Sequence, residues 1–194
     1  MVKVLLTSSI DPRGPSCRLA FAQGIFEKCS INGSTARFQC KGILSADHPD
    51  IKKIEEAEEL AAKEKWGAKA DAMLKMIRKA DDGVLHDGDM KPNWDGFEGN
   101  FYVNCASDNR PGIYDRDRTP LAQSDGRPYG GCFVNLRIDV WAQDNGYGKK
   151  LNASLLGIQF VRDGDSFAAG APPADADDFP ELAVDGAAAD PLLD

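Results

Sequence analysis

The sequence predicts a mainly β protein: a small barrel of about five strands with a helical insertion and an acidic C-terminal tail. Three observations carry the prediction. Stretches such as FVNLRIDVW (133–141) alternate apolar and polar residues with the period of two that a strand requires. Gly24, Gly42, Gly130, Gly131 and Gly157 fall inside strand-like runs, where glycine marks bulges or tight corners. Residues 49–80 switch to helical spacing.

The opening MVKVLL is too short an apolar run for a signal peptide or a membrane span. Residues 17–26 (CRLAFAQGIF) and 36–44 (ARFQCKGIL) read as two strands, and the Asn-Gly pair between them is a hairpin signal. In the second strand Phe38, Cys40 and Leu44 share one face; Arg37, Gln39 and Lys41 share the other. The helical insertion, about 49–80, starts with Pro49 in a first turn and acids early, then bases, with Gly67 as a stop. Ile51, Ile54, Ala57, Leu60 and Ala61 form its apolar stripe; Met73, Met76, Ile77 and Ala80 continue the pattern as core. Residues 81–98, dense in Gly, Asp and Pro, read as loop. Strands follow at 100–107, 110–115, 129–143 and 151–164, the last two joined by a turn at DNGYGKK.

The chain carries 31 acids and 23 Lys or Arg, a net charge of −8. Seven of the acids (Asp175, Asp177, Asp178, Glu181, Asp185, Asp190 and Asp194) lie in residues 171–194, which contain no base. That leaves 24 acids against 23 bases in residues 1–170, a nearly neutral domain. Within it, segment 47–89 holds 12 acids and 8 bases, while 1–46 with 90–162 holds 10 acids and 15 bases. The positive excess therefore sits among the strands and is compatible with an anionic ligand. The tail, rich in Ala, Asp and Pro, has the composition of a disordered segment.

Five cysteines (17, 29, 40, 105 and 132) form no C-x-x-C pair and read as small hydrophobes in a reduced, cytosolic protein. No metal or other cofactor is implied. His86, Asp87 and Asp89 invite a metal-hydrolase reading, but a Gly-flanked, Asp-rich loop is more often a turn. The sequence has no G-x-S-x-G elbow and no phosphate-binding GxxxxGK[ST] loop, so no catalytic residue is assigned.

The strand at 133–141 is the most informative. Val134, Leu136, Ile138 and Val140 form a core face; Phe133, Asn135, Arg137, Asp139 and Trp141 form the other. Two aromatics flanking an arginine suit a platform on which bases stack. Tyr102, Arg37, Lys41 and Arg18 lie on the non-core faces of other strands, and Arg127 and Tyr129 immediately precede this one. The competing reading is a second small core beneath the helices, or an aromatic face that docks a protein partner.

The segments LHDGD, GNFYVN, RPG, YGGCF, the Asp-Asn-Gly turn and GIQFVRDG resemble, in order and spacing, bacteriophage single-stranded-DNA-binding proteins of the OB-fold type. The resemblance runs from about residue 17 to 167. It implies an OB-like five-stranded barrel in residues 1–170 and a disordered acidic tail in 171–194. It implies sequence-tolerant binding of single-stranded DNA, non-enzymatic, in phage replication or recombination within the host cytoplasm. Tyr129, Phe133 and Trp141 match the family's aromatic strand. A basic residue is frequent there where this chain has Asn135, and Arg137 is the nearest base on that face. The tail's Asp177, Asp178, Phe179, Leu192, Leu193 and Asp194 are the expected contacts for replication or recombination proteins. A homodimer is compatible with the pattern.

Overall fold

The computed structural model describes residues 1–30, 33 and 35–167; the tail expected at 171–194 lies outside them. In chain order the elements are β1 (Val2–Leu6), β2 (Cys17–Ala20), α1 (Gln23–Phe26), β3 (Phe38–Ser45), α2 (Asp50–Trp66) and α3 (Ala70–Lys79). Then come β4 (Leu85–Asp87), β5 (Asn100–Ser107), β6 (Gly112–Tyr114), β7 (Phe133–Asn145) and β8 (Gly148–Arg162).

Five strands close a barrel in the order β7–β2–β3–β5–β8, with β8 pairing back onto β7. Neighbours are antiparallel except β5 and β8, which run parallel and meet only at Cys105 and Ala153. The expected mainly β, OB-like barrel with a helical insertion is the architecture of the chain.

The interior follows from the alternation. Val134, Leu136, Ile138 and Val140 are all fully buried, packed against Leu19, Leu44, Val103 and Leu155. Each such side chain contributes roughly 1.5–3 kcal/mol by leaving water. Gly42 makes the closure possible: a Cβ there would lie 2.4 Å from Leu136 Cδ1 and 3.2 Å from Cys17 Sγ.

The helical insertion closes one end, with Ile54, Ala57 and Ala61 of α2 joining the same core. Two buried acids anchor it. Asp50 accepts hydrogen bonds from the Thr7 N–H and hydroxyl, each at 2.8 Å, and pairs with Lys53. Glu58 accepts from the Val84 N–H at 2.7 Å and pairs with Arg78 at 3.4 Å.

The structure corrects several expectations. Residues 23–26 are a helical turn rather than the end of a strand, because Phe21 turns to φ 59° and breaks the run. Gly24 lets that turn press on β3: a Cβ would meet the Gln39 carbonyl at 2.2 Å. The opening apolar run is a strand, β1, which extends the sheet beside β7 and buries Val4 and Leu6. The loop expected at 81–98 contains β4, paired with β5. On the helices, Leu60 is 55% exposed and Met76 47% exposed, whereas Ala62, Ala70, Leu74 and Ile77 face the core. The stripe is rotated because α2 and α3 pack on each other as well as on the barrel.

Candidate nucleic-acid interface

The outer faces of β2, β3 and β5 carry a second, smaller apolar cluster: Ala20, Ile43, Phe97 and Tyr102, flanked by Phe21, Trp94 and Phe167. Its aromatics are locked edge to face. Phe21 and Trp94 rings lie 5.1 Å apart, Trp94 and Phe97 5.1 Å, Phe97 and Tyr102 5.0 Å. Loop 93–97 delivers two of these rings. It is seated by Gly96, at φ 79°, where a Cβ would meet the Phe167 ring at 2.8 Å. Phe21 reaches the cluster from a left-handed backbone conformation, rare for a bulky residue and a mark of functional sites.

Lys41 sits over this cluster. Its Nζ is 5.3 Å from the Trp94 centroid, 5.3 Å from Tyr102 and 5.8 Å from Phe21, and it donates to the Asn104 side-chain carbonyl. Burial pushes its pKa below the ordinary lysine value, so a phosphate brought alongside would meet a poorly hydrated cation.

Two clefts flank this cluster, and Lys41 lines the first while its Nζ lies over two rings of the second. The first, about 390 Å3, is lined by Arg37, Lys41, Asn104, Trp141, Lys150 and Asn152, with Asp81, Asp82 and His86 at one side. It opens at the seam where β5 and β8 make their single parallel pairing. The second, about 580 Å3, is lined by Phe21, Trp94, Phe97, Pro128, Tyr129 and Phe167. Beyond the first cleft the β7–β8 hairpin runs out to Tyr147, which is 89% exposed.

The structure sorts the nine residues singled out by sequence. Arg37, Lys41 and Trp141 share the first cleft and Tyr129 lines the second. Arg37 pairs with Asp108 at 3.0 Å, and Trp141 Nε1 donates to Ser154 Oγ at 3.0 Å. Tyr129 donates its hydroxyl proton toward Asp163 at 2.9 Å or the Gly164 carbonyl at 3.0 Å. Tyr102 lies on the expected outer face, but at 4% exposure it is the floor of the site, stacked on His86 at 5.0 Å.

Arg18 and Phe133 stand together at the far side of the second cleft. Arg18 donates to the Gly131 and Asp165 carbonyls at 3.0 and 2.8 Å, and its guanidinium lies 4.4 Å from the Phe167 centroid. The Phe133 ring is covered by Arg162 at 3.3 Å and Arg18 at 5.3 Å, so neighbouring arginines cover it, not helices. Arg127 turns away to Asp115 at 2.8 Å and to the Phe160 ring. Arg137 is exposed on the outer face of β7, with no side-chain partner among the described residues.

Sequence reasoning missed Phe21, Trp94, Phe97 and Phe167. All four lie in turns or irregular segments with no periodicity to read; the repeated aromatics in NWDGF were the available signal. The acidic loop has structural partners: His86 Nδ1 is 2.9 Å from Asp81, Asp87 accepts from the Asp89 N–H, and Asp89 accepts from the Gly99 N–H. Among the described residues no group of three or more His, Cys, Asp or Glu is placed to hold a metal ion. No described helix is long and apolar enough to cross a membrane.

The family model described as Enterobacter phage Enc34, ssDNA-binding protein, matches residues 14–189. The chain belongs to this Enc34 family. A putative protein p50 of Acyrthosiphon pisum secondary endosymbiont phage 1 is 35% identical over 171 residues, covering 86% of this chain and 91% of that protein. Among solved structures, the single-stranded DNA-binding protein from bacteriophage Enc34 in complex with ssDNA superposes with a TM-score of 0.67. It is 22% identical and covers 86% of this chain and 89% of that one. The single-stranded DNA binding protein gp2.5 of bacteriophage T7 shares the fold more distantly, with a TM-score of 0.51 and 12% identity over 97% of this chain and all of that one. The Enc34 family and these solved neighbours are non-enzymatic DNA-binding proteins.

Proposed function

We propose that this Enc34-family chain binds single-stranded DNA with little sequence preference and shields exposed strands during phage replication or recombination. One observation carries the reading: a partly desolvated lysine that lines one cleft with Arg37 and Lys150 stands over three aromatic rings, two of which line a second, aromatic cleft. Bases stack on aromatic faces without regard to sequence, at about 1–3 kcal/mol each. Trp94, Phe21, Trp141 and Tyr129 supply those faces. Arg37, Lys41 and Lys150 neutralise phosphates, and the released counterions make binding weaken as salt rises. Arg18 and Phe133 extend the surface on one side, Arg137 lies further along the same outer face of β7, and Tyr102 supports the stack from below. Duplex DNA hides its base faces and cannot use the rings.

The acidic tail has two roles in this reading. As a polyanion it competes with DNA for the cationic cleft; through Asp177, Asp178, Phe179, Leu192, Leu193 and Asp194 it docks replication or recombination proteins. Phe167, the last described residue before the tail, lies in the wall of the aromatic cleft.

The direct test is titration of the full chain with a labelled oligo-dT while following tryptophan emission. Quenching that fades with salt, and is much poorer with duplex, is the expected result. Absence of binding at low salt refutes the reading and leaves a protein-docking face in its place.

A further inference from the structure

The two clefts differ in charge in a way that separates their tasks. The first presents Arg37, Lys41 and Lys150, with Asp81 and Asp82 also in its lining and Asp82 paired to Lys150 at 2.7 Å. The second has no lysine or arginine among the described residues that line it, and its one charged residue is Asp95. A phosphate finds no cationic partner in that lining; the nearby cations, Lys41 and Lys91 over Trp94 and Arg18 over Phe167, stand on its rings from outside it. An uncharged, flat, aromatic group is what the rings of Phe21, Trp94 and Tyr129 accept. Lys41, which lines the first cleft, links the two: its Nζ lies over the Phe21 and Trp94 rings of the second. A strand with its phosphates at the first cleft can therefore swing one base into the second.

The rim adds a reading head. Gln23, Asn93, Asp95 and Gln123 are among the residues that line the cleft, and none of their side chains has a hydrogen-bond or ion-pair partner among the described residues. A carboxylate only accepts hydrogen bonds at neutral pH. It suits the exocyclic amino group of cytosine or adenine and is repelled by the two carbonyl oxygens that flank the single ring N–H of thymine. Extruded bases are commonly read in this manner, by stacking plus contacts to the Watson–Crick edge.

We propose that the aromatic cleft holds one nucleobase turned out of the bound strand and favours bases that carry an exocyclic amino group, with Asp95 as the acceptor. The inference rests on the single-stranded-DNA reading and adds a modest base preference to it. Asp95 is exposed and unpaired, so its replacement leaves the packing of loop 93–97 in place.

The experiment measures affinities of the full chain for oligo-dC and oligo-dT of equal length, in the wild type and in Asp95→Ala and Asp95→Asn. The quantity that decides is the dC-to-dT affinity ratio. Removing a negative charge tightens both oligonucleotides alike and leaves the ratio unchanged; removing an amino acceptor lowers it. The expected result is a fall of about five-fold or more for Asp95→Ala, in line with base-edge contacts elsewhere. A smaller fall is expected for Asp95→Asn, which keeps an accepting oxygen. Both oligonucleotides tightening by the same factor overturns the inference and leaves the DNA-binding reading standing. Neither oligonucleotide binding at low salt overturns that reading itself.

Discussion

Lys41 and Trp94 illustrate what single residues contribute, and how differently visible they were. Lys41 was legible because strand alternation puts it opposite the buried Cys40 and Leu44, and the same rule placed Arg37 and Trp141. Trp94 was not: it stands in an irregular loop, and only the pairing of β4 with β5 brings that loop over the sheet. The two should fail differently. Trp94→Ala loses a stacking surface and weakens oligo-dT binding by about 1–3 kcal/mol at every salt concentration. Lys41→Ala loses a phosphate contact, so its log affinity falls less steeply with log salt, by about one unit of slope. Isothermal titration across a salt series separates the two. Identical slopes for the Lys41 variant and the wild type would remove that lysine from the phosphate path.

At the scale of elements, the long regular pieces were legible and the short ones were not. The last two strands declare themselves by sustained alternation and their turn, and the helices by 3.6-residue spacing bounded by Pro49 and Gly67. β1 has only Val4 and Leu6 to show, and β4 is three residues long, so neither builds a pattern of its own; both exist because a neighbouring strand offers an edge. The turn at 23–26 was hidden for another reason. Its apolar residues mimic a strand, and only the left-handed Phe21 diverts the chain. Glycines read as corners proved to be of different kinds. Gly42 is a packing necessity, since its missing side chain is the space occupied by Leu136. Gly42→Ala should therefore destabilise the barrel by about 1–3 kcal/mol, the usual range for overpacking a close-fitted core. Urea unfolding followed by circular dichroism would measure it, and an unchanged midpoint would mean that β3 and β7 can part at no cost.

On the scale of the whole molecule, the net charge of −8 describes neither part of the chain well. The 24 acids and 23 bases of residues 1–170 balance, yet they are segregated: segment 47–89 is acidic, chiefly through Asp47, Asp81, Asp82, Asp87 and Asp89, and residues 1–46 with 90–162 are basic. The seven tail acids come after Phe167, the last described residue, which lines the aromatic cleft and lies against Arg18. A tethered polyanion at that position has a high effective concentration at the cationic surface, however weak each contact is. Under the proposed reading it would raise the threshold that a DNA strand must pass. Ending the chain after Gly170 should thus tighten oligo-dT binding. The gain should be largest at low ionic strength and shrink as the Debye length falls to about 10 Å near 0.1 M salt. Paired titrations of the full and shortened chains at several salt concentrations would show it. Equal affinities at low salt would confine the tail to solubility and partner docking, and would mean that the clefts alone set the affinity.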